Sequence, residues 1–174
     1  MIVRFQHKHG FTLLELLVVM TITVVLMLAG YGAVQKALNA GRIVRSTQNL
    51  GQLAAANMLY ASDNGTFAPA DDKWNRKRWH GARTGANAPF DPADGFLAPY
   101  LGHARQVTPC PLLMHLLSDK GSFEQGTGGY GYNAQYIGGR PGGGFDKTSG
   151  QRIPERIARV QHLSRTVMFA TTAY

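Results

Sequence analysis

A single cysteine, Cys110, rules out an internal disulfide, so the globular part of the chain must be held by packing. Proline is missing between residues 11 and 68, which leaves that stretch free to run as one unbroken helix. Asp, Glu, Lys and Arg are all missing between Leu16 and Gln35. About 20 such residues suffice to cross the hydrocarbon core of a bilayer as a helix. Acids are scarce overall, 10 against 18 Lys and Arg, for a formal net charge of +8. That balance suits acidic partners such as nucleic acid or anionic lipid headgroups, and a merely solvated surface gives it equally well.

The patterns that catalysis or metal binding would need are also missing. His7, His9, His80, His103, His115 and His162 are scattered, with no His-x-x-x-His spacing. The glycines after Gly126 lack the Gly-Lys-Ser/Thr ending of a phosphate loop. The late acids Asp119, Glu124, Asp146 and Glu155 show no Asp-x-Asp spacing, as a calcium loop would. No catalytic residue, metal ligand or cofactor is assigned, and the chain is not expected to be an enzyme.

What the chain does have is Gly10-Phe11-Thr12-Leu13-Leu14-Glu15, followed by apolar residues to Ala29. One carboxylate therefore lies just inside a membrane-length segment. An ionisable group at mid-membrane costs about 2.5 to 3.5 kcal/mol on insertion scales, so it marks a functional partner by default. Arg4 and Lys8 precede the run and the next base is Lys36, a weak bias compatible with a cytoplasmic N-terminus. A secretory signal peptide is the competing reading, with Gly30-Tyr31-Gly32 before Ala33 as its cleavage site. The length of the run, the interruption at Glu15 and the helical pattern beyond it weigh against that reading.

The stretch Lys8-His9-Gly10-Phe11-Thr12-Leu13-Leu14-Glu15 resembles the leader and cleavage site of type IV prepilins and type II secretion pseudopilins. The resemblance implies that a membrane-embedded prepilin peptidase cuts after Gly10 and methylates the new amine on Phe11. It also implies that Glu15 neutralises that amine on a neighbouring subunit, setting the register of a filament. The residue types suit these roles. Gly10 lets the backbone enter a tight cleft, Phe11 is a large apolar anchor, and a paired buried charge is far less costly than a lone one. The implied partners are the peptidase, further copies or other pilin subunits, and an inner-membrane assembly platform. The implied location is the bacterial inner membrane, single-pass with a periplasmic C-terminal domain, and then the pilus or pseudopilus.

Residues 11 to about 61 read as one helix. Ile43, Thr47, Leu50, Ala54, Met58 and Ala61 form the face expected to pack, and Arg42, Arg45, Gln48, Gln52 and Asn57 the exposed one. Gly30 and Gly32 are either a soft point or sites of close helix packing. The helix should stop at Asp63-Asn64-Gly65. Asp71 to Pro99 reads as a long loop, Leu112 to Leu117 as a short helical turn, and Gly126 to Gly144 as a second loop in which Tyr130, Tyr132 and Tyr136 edge a strand. Arg156 to His162 reads as helical and Thr166 to Ala170 as a buried strand. Cys110, between two prolines, reads as a small buried hydrophobe.

Further resemblance lies beyond the leader. Residues 49–69 are similar to the helix end of G-type major pseudopilins. Leu97-Ala98-Pro99-Tyr100-Leu101, Cys110-Pro111 and Tyr130-Gly131-Tyr132-Asn133 follow in the order seen in pilin-like proteins. Those proteins often carry a Cys pair, a calcium site and a further C-terminal hairpin. Here the single Cys and the end at Tyr174 depart from that pattern, which suggests a shortened variant or an incomplete chain. Within the first loop, Lys73, Trp74, Arg76, Lys77, Arg78 and Trp79 interleave cations with indoles, a composition that suits a nucleic-acid or surface-ligand patch. The bland alternative is that both indoles pin the loop while the cations stay wet.

The expected fold is α+β and pilin-like: a long N-terminal helix, membrane-spanning in its first half, packed on a small antiparallel β-sheet domain with long loops. The expected segments are a leader at 1–10, the transmembrane half of the helix at 11–35, its amphipathic half at 36–62 and a globular domain at 63–174. The expected function is a structural subunit of a type IV pilus or type II secretion pseudopilus. The alternative is a minor pilin that binds DNA or a surface ligand through residues 73–80.

Overall fold

A computed structural model describes residues 11–103, 105–114 and 126–172. Helix α1, Leu13–Asn64, runs 52 residues without a break. It ends where the sequence supplies a terminator, since Gly65 takes φ +74° and its N–H returns to the Ala61 carbonyl at 2.9 Å. Contacts divide the chain into two units, with the boundary after Gly41.

The described part of the first unit is helical from Leu13 and has no core of its own. Its apolar side chains are open, from Leu13 and Leu14 (83% and 73% exposed) to Met27 and Leu28 (74% and 73%). Its two interior threonine hydroxyls are satisfied within the helix, Thr21 Oγ1 donating to the Val18 carbonyl at 2.8 Å and Thr23 Oγ1 to the Met20 carbonyl at 2.9 Å. That is how a polar residue sits in a segment without water to bond to. Gly30 and Gly32 lie inside unbroken helix with open space where a Cβ would be.

In the second unit α1 buries Ser46, Leu53, Ala56, Asn57 and Ala61. This corrects the expected face: Ile43, Thr47 and Met58 are exposed, whereas Asn57, expected on the wet side, is fully buried. Hydrogen bonding explains the reversal. Asn57 Oδ1 accepts the Ala68 N–H at 2.9 Å, its amide donates to the Tyr132 hydroxyl at 3.0 Å, and that hydroxyl donates to the Ala68 carbonyl at 2.8 Å. The closed triangle satisfies both backbone groups of Ala68, so burying the amide incurs no desolvation debt.

The main core joins Leu53, Ala68, Trp79, Phe96, Leu97, Val107, Cys110, Tyr130 and Phe169, and a smaller cluster joins Ala61, Phe67 and Ile137. Cys110 is fully buried as expected, its Sγ 3.0 Å from Ser46 Oγ. Two small antiparallel sheets lie around this core. Strands β1 (Lys77–Arg78) and β2 (Gly81–Ala82) pair as a tight hairpin. Strands β3 (Tyr130–Tyr132) and β4 (Phe169–Thr171) pair with Gly131 opposite Ala170. The Tyr132 and Phe169 rings stack across that pair at 4.8 Å, and Trp79 meets Phe169 edge-on at 5.3 Å. The architecture is α+β and pilin-like.

Several local expectations shift. The Asp71 to Pro99 loop carries the β1–β2 hairpin and two 3-10 turns, Pro92–Asp94 and Ala98–Tyr100. Tyr136 lies outside β3 and is 61% exposed, because Asn133 turns the chain: its Oδ1 accepts the Gln135 and Tyr136 N–H groups and its amide donates to the Val167 carbonyl. The stretch 156–162 holds one 3-10 turn, Ile157–Arg159, in place of a longer helix. In the 166–170 run only Phe169 is buried, since Val167 is 61% exposed. The Leu112 to Leu117 turn is seen to Met114, its remainder lying outside the described residues.

Candidate assembly terminus and basic loop

Thr12 and Glu15 close the start of α1 on each other. Glu15 Oε2 accepts from the Thr12 N–H at 2.8 Å and from its hydroxyl at 2.9 Å, while Thr12 Oγ1 accepts the Glu15 N–H at 3.3 Å. This is a capping box, which satisfies orphan helix donors reciprocally. The signal was in the sequence as Thr-x-x-Glu before an apolar run, but reading Glu15 only as an intermolecular partner passes over it. The arrangement fixes the carboxylate at the positive end of the helix dipole, next to Phe11, which is 83% exposed. Oε2 carries both of these bonds. Chemically, such a group can hold an ammonium placed just before Thr12. Gly10 lies outside the described residues.

The prokaryotic N-terminal methylation motif matches residues 5–31, spanning Gly10, Phe11 and Glu15. The N-terminus is that of a type IV prepilin-like protein. The match stops at Tyr31, within α1, and leaves the chain's second unit untouched. No curated protein and no solved structure matches the chain.

In that second unit the six patch residues divide. Trp79 is 5% exposed and sits in the core against Tyr132 and Phe169, so its ring has no face for a base or a sugar. Trp74 is 55% exposed; it lies across Gly150, whose missing Cβ would fall 2.3 Å from the indole, and Lys73 Nζ stands 4.2 Å from its ring centre. Lys77 lies over Phe96 and Arg78 over Phe90, where Arg78 Nε also donates to Asn75 Oδ1 at 2.6 Å. Arg76 is exposed, and its N–H is one of two that Asp72 Oδ1 accepts. The loop thus brings Lys73, Trp74 and Arg76 to the surface and uses Lys77, Arg78 and Trp79 to cover aromatic core.

Beside Trp79, the His80 imidazole is 1% exposed, edge-on to Trp79 at 5.1 Å and to Phe90 at 5.0 Å. Neither ring nitrogen has a hydrogen-bond partner among the described residues. Burial, with the Arg78 charge adding to it, holds its pKa down at about 3. Sequence reasoning passed over His80 because it sought only ligand spacings. Elsewhere the Arg152 guanidinium pairs with Asp71 through both carboxylate oxygens, at 2.6 and 3.1 Å. That bond raises the Arg152 pKa. Asp146 takes the Thr148 and Ser149 N–H groups and the Ser149 hydroxyl, which lowers its pKa. Its Oδ1 is thus engaged in a local turn, and no group of three or more His, Cys, Asp or Glu that could hold a metal ion occurs among the described residues.

Proposed function

We propose that this chain is a structural subunit of a type IV pilus or a type II secretion pseudopilus. It is inserted in the inner membrane through α1, cut after Gly10, methylated on Phe11 and polymerised through the helix. The observation that carries this reading is the methylation motif at residues 5–31, whose part from Leu13 onward lies on a helix with apolar side chains that have no core to enter. Such a surface fits lipid first and a bundle of like helices afterwards, since both are apolar and the transfer costs little. Cleavage would free an α-amino cation one residue before Thr12, within reach of a carboxylate already held by the capping box. In a bundle, the cation of an incoming subunit would compete for the Glu15 of its neighbour, and a buried pair is far better than two lone charges. The basic flank Arg4 and Lys8, a weak bias, supports a periplasmic placement of the C-terminal domain.

Glu15→Gln keeps an acceptor for Thr12 while removing the charge, so it separates capping from pairing. The variant is expected to be cleaved and helical but to enter filaments at least about tenfold less than wild type, as a charge-pair loss of 1.4 kcal/mol or more requires. Filament incorporation equal to wild type, read by shearing and immunoblot, contradicts the pairing role.

The alternative, DNA or ligand binding through residues 73–80, is narrowed by the burial of Trp79 to the surface of Lys73, Trp74 and Arg76.

A further inference from the structure

A groove of about 470 Å³ opens between the turn after β3 and the segment 155–167. Its charged lining comes from one stretch, in which Arg156, Arg159, His162 and Arg165 recur every third residue. Arg159 ends one 3-10 turn, Ile157–Arg159, and Arg165 ends the next, Leu163–Arg165. The backbone between the turns is extended at Val160 (φ −74°, ψ 102°), so the two arginines are brought together by the groove they both line and not by one continuous helix. Arg159, His162 and Arg165 all line the groove. Neither Arg159 nor Arg165 has an acid partner among the described residues. The backbone under them is fixed: the Arg159 N–H bonds Arg156 at 3.0 Å, and the His162 carbonyl takes both the Arg165 N–H at 3.0 Å and Thr166 Oγ1 at 2.8 Å.

Two further groups decide what kind of anion fits. Glu155 lines the same groove; its Oε1 takes the Arg156 N–H at 3.0 Å, and its backbone is clamped by Ile137 and Phe67. Tyr136 lines the opposite wall with its ring 61% exposed. A carboxylate beside two guanidiniums opposes a ligand that is anionic along its whole length, and it accepts the hydroxyls of one that is not. Guanidinium forks suit carboxylate or sulfate, and an exposed ring offers an apolar face to a pyranose. The volume lies in the range of small-ligand clefts.

We propose that this groove binds an acidic saccharide, a sugar unit bearing a carboxylate or a sulfate. Arg159 and Arg165 hold the anionic group, Glu155 accepts ring hydroxyls and Tyr136 covers the sugar face. The site stands apart from the filament reading and needs nothing from it.

The test uses the full chain in detergent micelles, with a fluorescent hyaluronan oligosaccharide, in which acidic and neutral sugars alternate, a dextran oligosaccharide bearing one sulfate per chain, neutral dextran of the same length and single-stranded DNA as probes. At least one acidic saccharide is expected to bind with an affinity that falls as salt rises, and neutral dextran is expected not to bind. The variant R159Q/R165Q should weaken that binding tenfold or more, and Glu155→Gln should weaken saccharide binding while leaving DNA binding equal or tighter. The variant K73Q/R76Q, on the other basic surface, should bind saccharide as wild type does. Circular dichroism and buried-tryptophan fluorescence check that each variant is folded. The proposal is overturned if neither acidic saccharide binds, if R159Q/R165Q binds undiminished, or if DNA binds more tightly than either saccharide through Arg159 and Arg165.

Discussion

His80 and Asn57 show what a buried polar side chain does with and without partners. The His80 ring has none among the described residues and must stay neutral. The unfolded imidazole, near pKa 6.5, takes a proton that the folded state refuses down to about 3. Stability from this group is therefore complete above pH 6.5 and is lost as pH falls toward 3, by about 2 kcal/mol at pH 5. His80→Phe is expected to flatten that limb, so its urea midpoint, followed by Trp79 fluorescence, should fall less between pH 7 and pH 5 than that of wild type. An equal fall would mean that His80 is not the acid-sensitive group. Asn57 is the opposite case, with both ends of its amide engaged. Asn57→Leu leaves the Ala68 N–H and the Tyr132 hydroxyl short of a partner and should cost about 2 kcal/mol or more. Tyr132→Phe in that background should then cost less than it does alone, because the network is already broken. Strict additivity of the two would show that the triangle does not act as a unit.

Helix α1 was the most legible element because its determinants are local: no proline from residue 11 to 68, an uncharged run, and Gly65 to end it. Its buried face was not legible. Periodicity selected Ile43, Thr47 and Met58 as apolar, but which side a helix buries is decided by partners distant in sequence, here Ala68, Cys110 and Tyr132. The short strands were only partly readable for the same reason. Phe169 and Tyr132 find each other across 37 residues of chain, and a three-residue pair carries too little alternation to announce itself. The start of α1 carries its own prediction. Thr12→Val removes the hydroxyl of the capping box, and loss of an N-cap costs about 1 kcal/mol. Hydrogen exchange at the amides of Glu15 and Leu16 should quicken about fivefold, with residues 50 to 60 unchanged. Unchanged exchange at Glu15 and Leu16 would mean that the cap does not hold the helix end.

For the molecule as a whole, sequence and structure divide the work. The N-terminal motif is read directly from residue types and spacing, as the family match at 5–31 bears out. The groove of Arg159 and Arg165 was not read at all: a period of three is neither helix nor strand, and only the folded chain brings these residues to one groove with Tyr136. Everything proposed for assembly depends on one covalent event at the junction of Gly10 and Phe11. The most direct test is intact and N-terminal peptide mass spectrometry of the chain recovered from membranes of cells expressing it with its prepilin peptidase. The account predicts a chain that begins at Phe11 and carries one added methyl group on its amine. A chain that retains residues 1–10, or one that begins at Ala33, contradicts it.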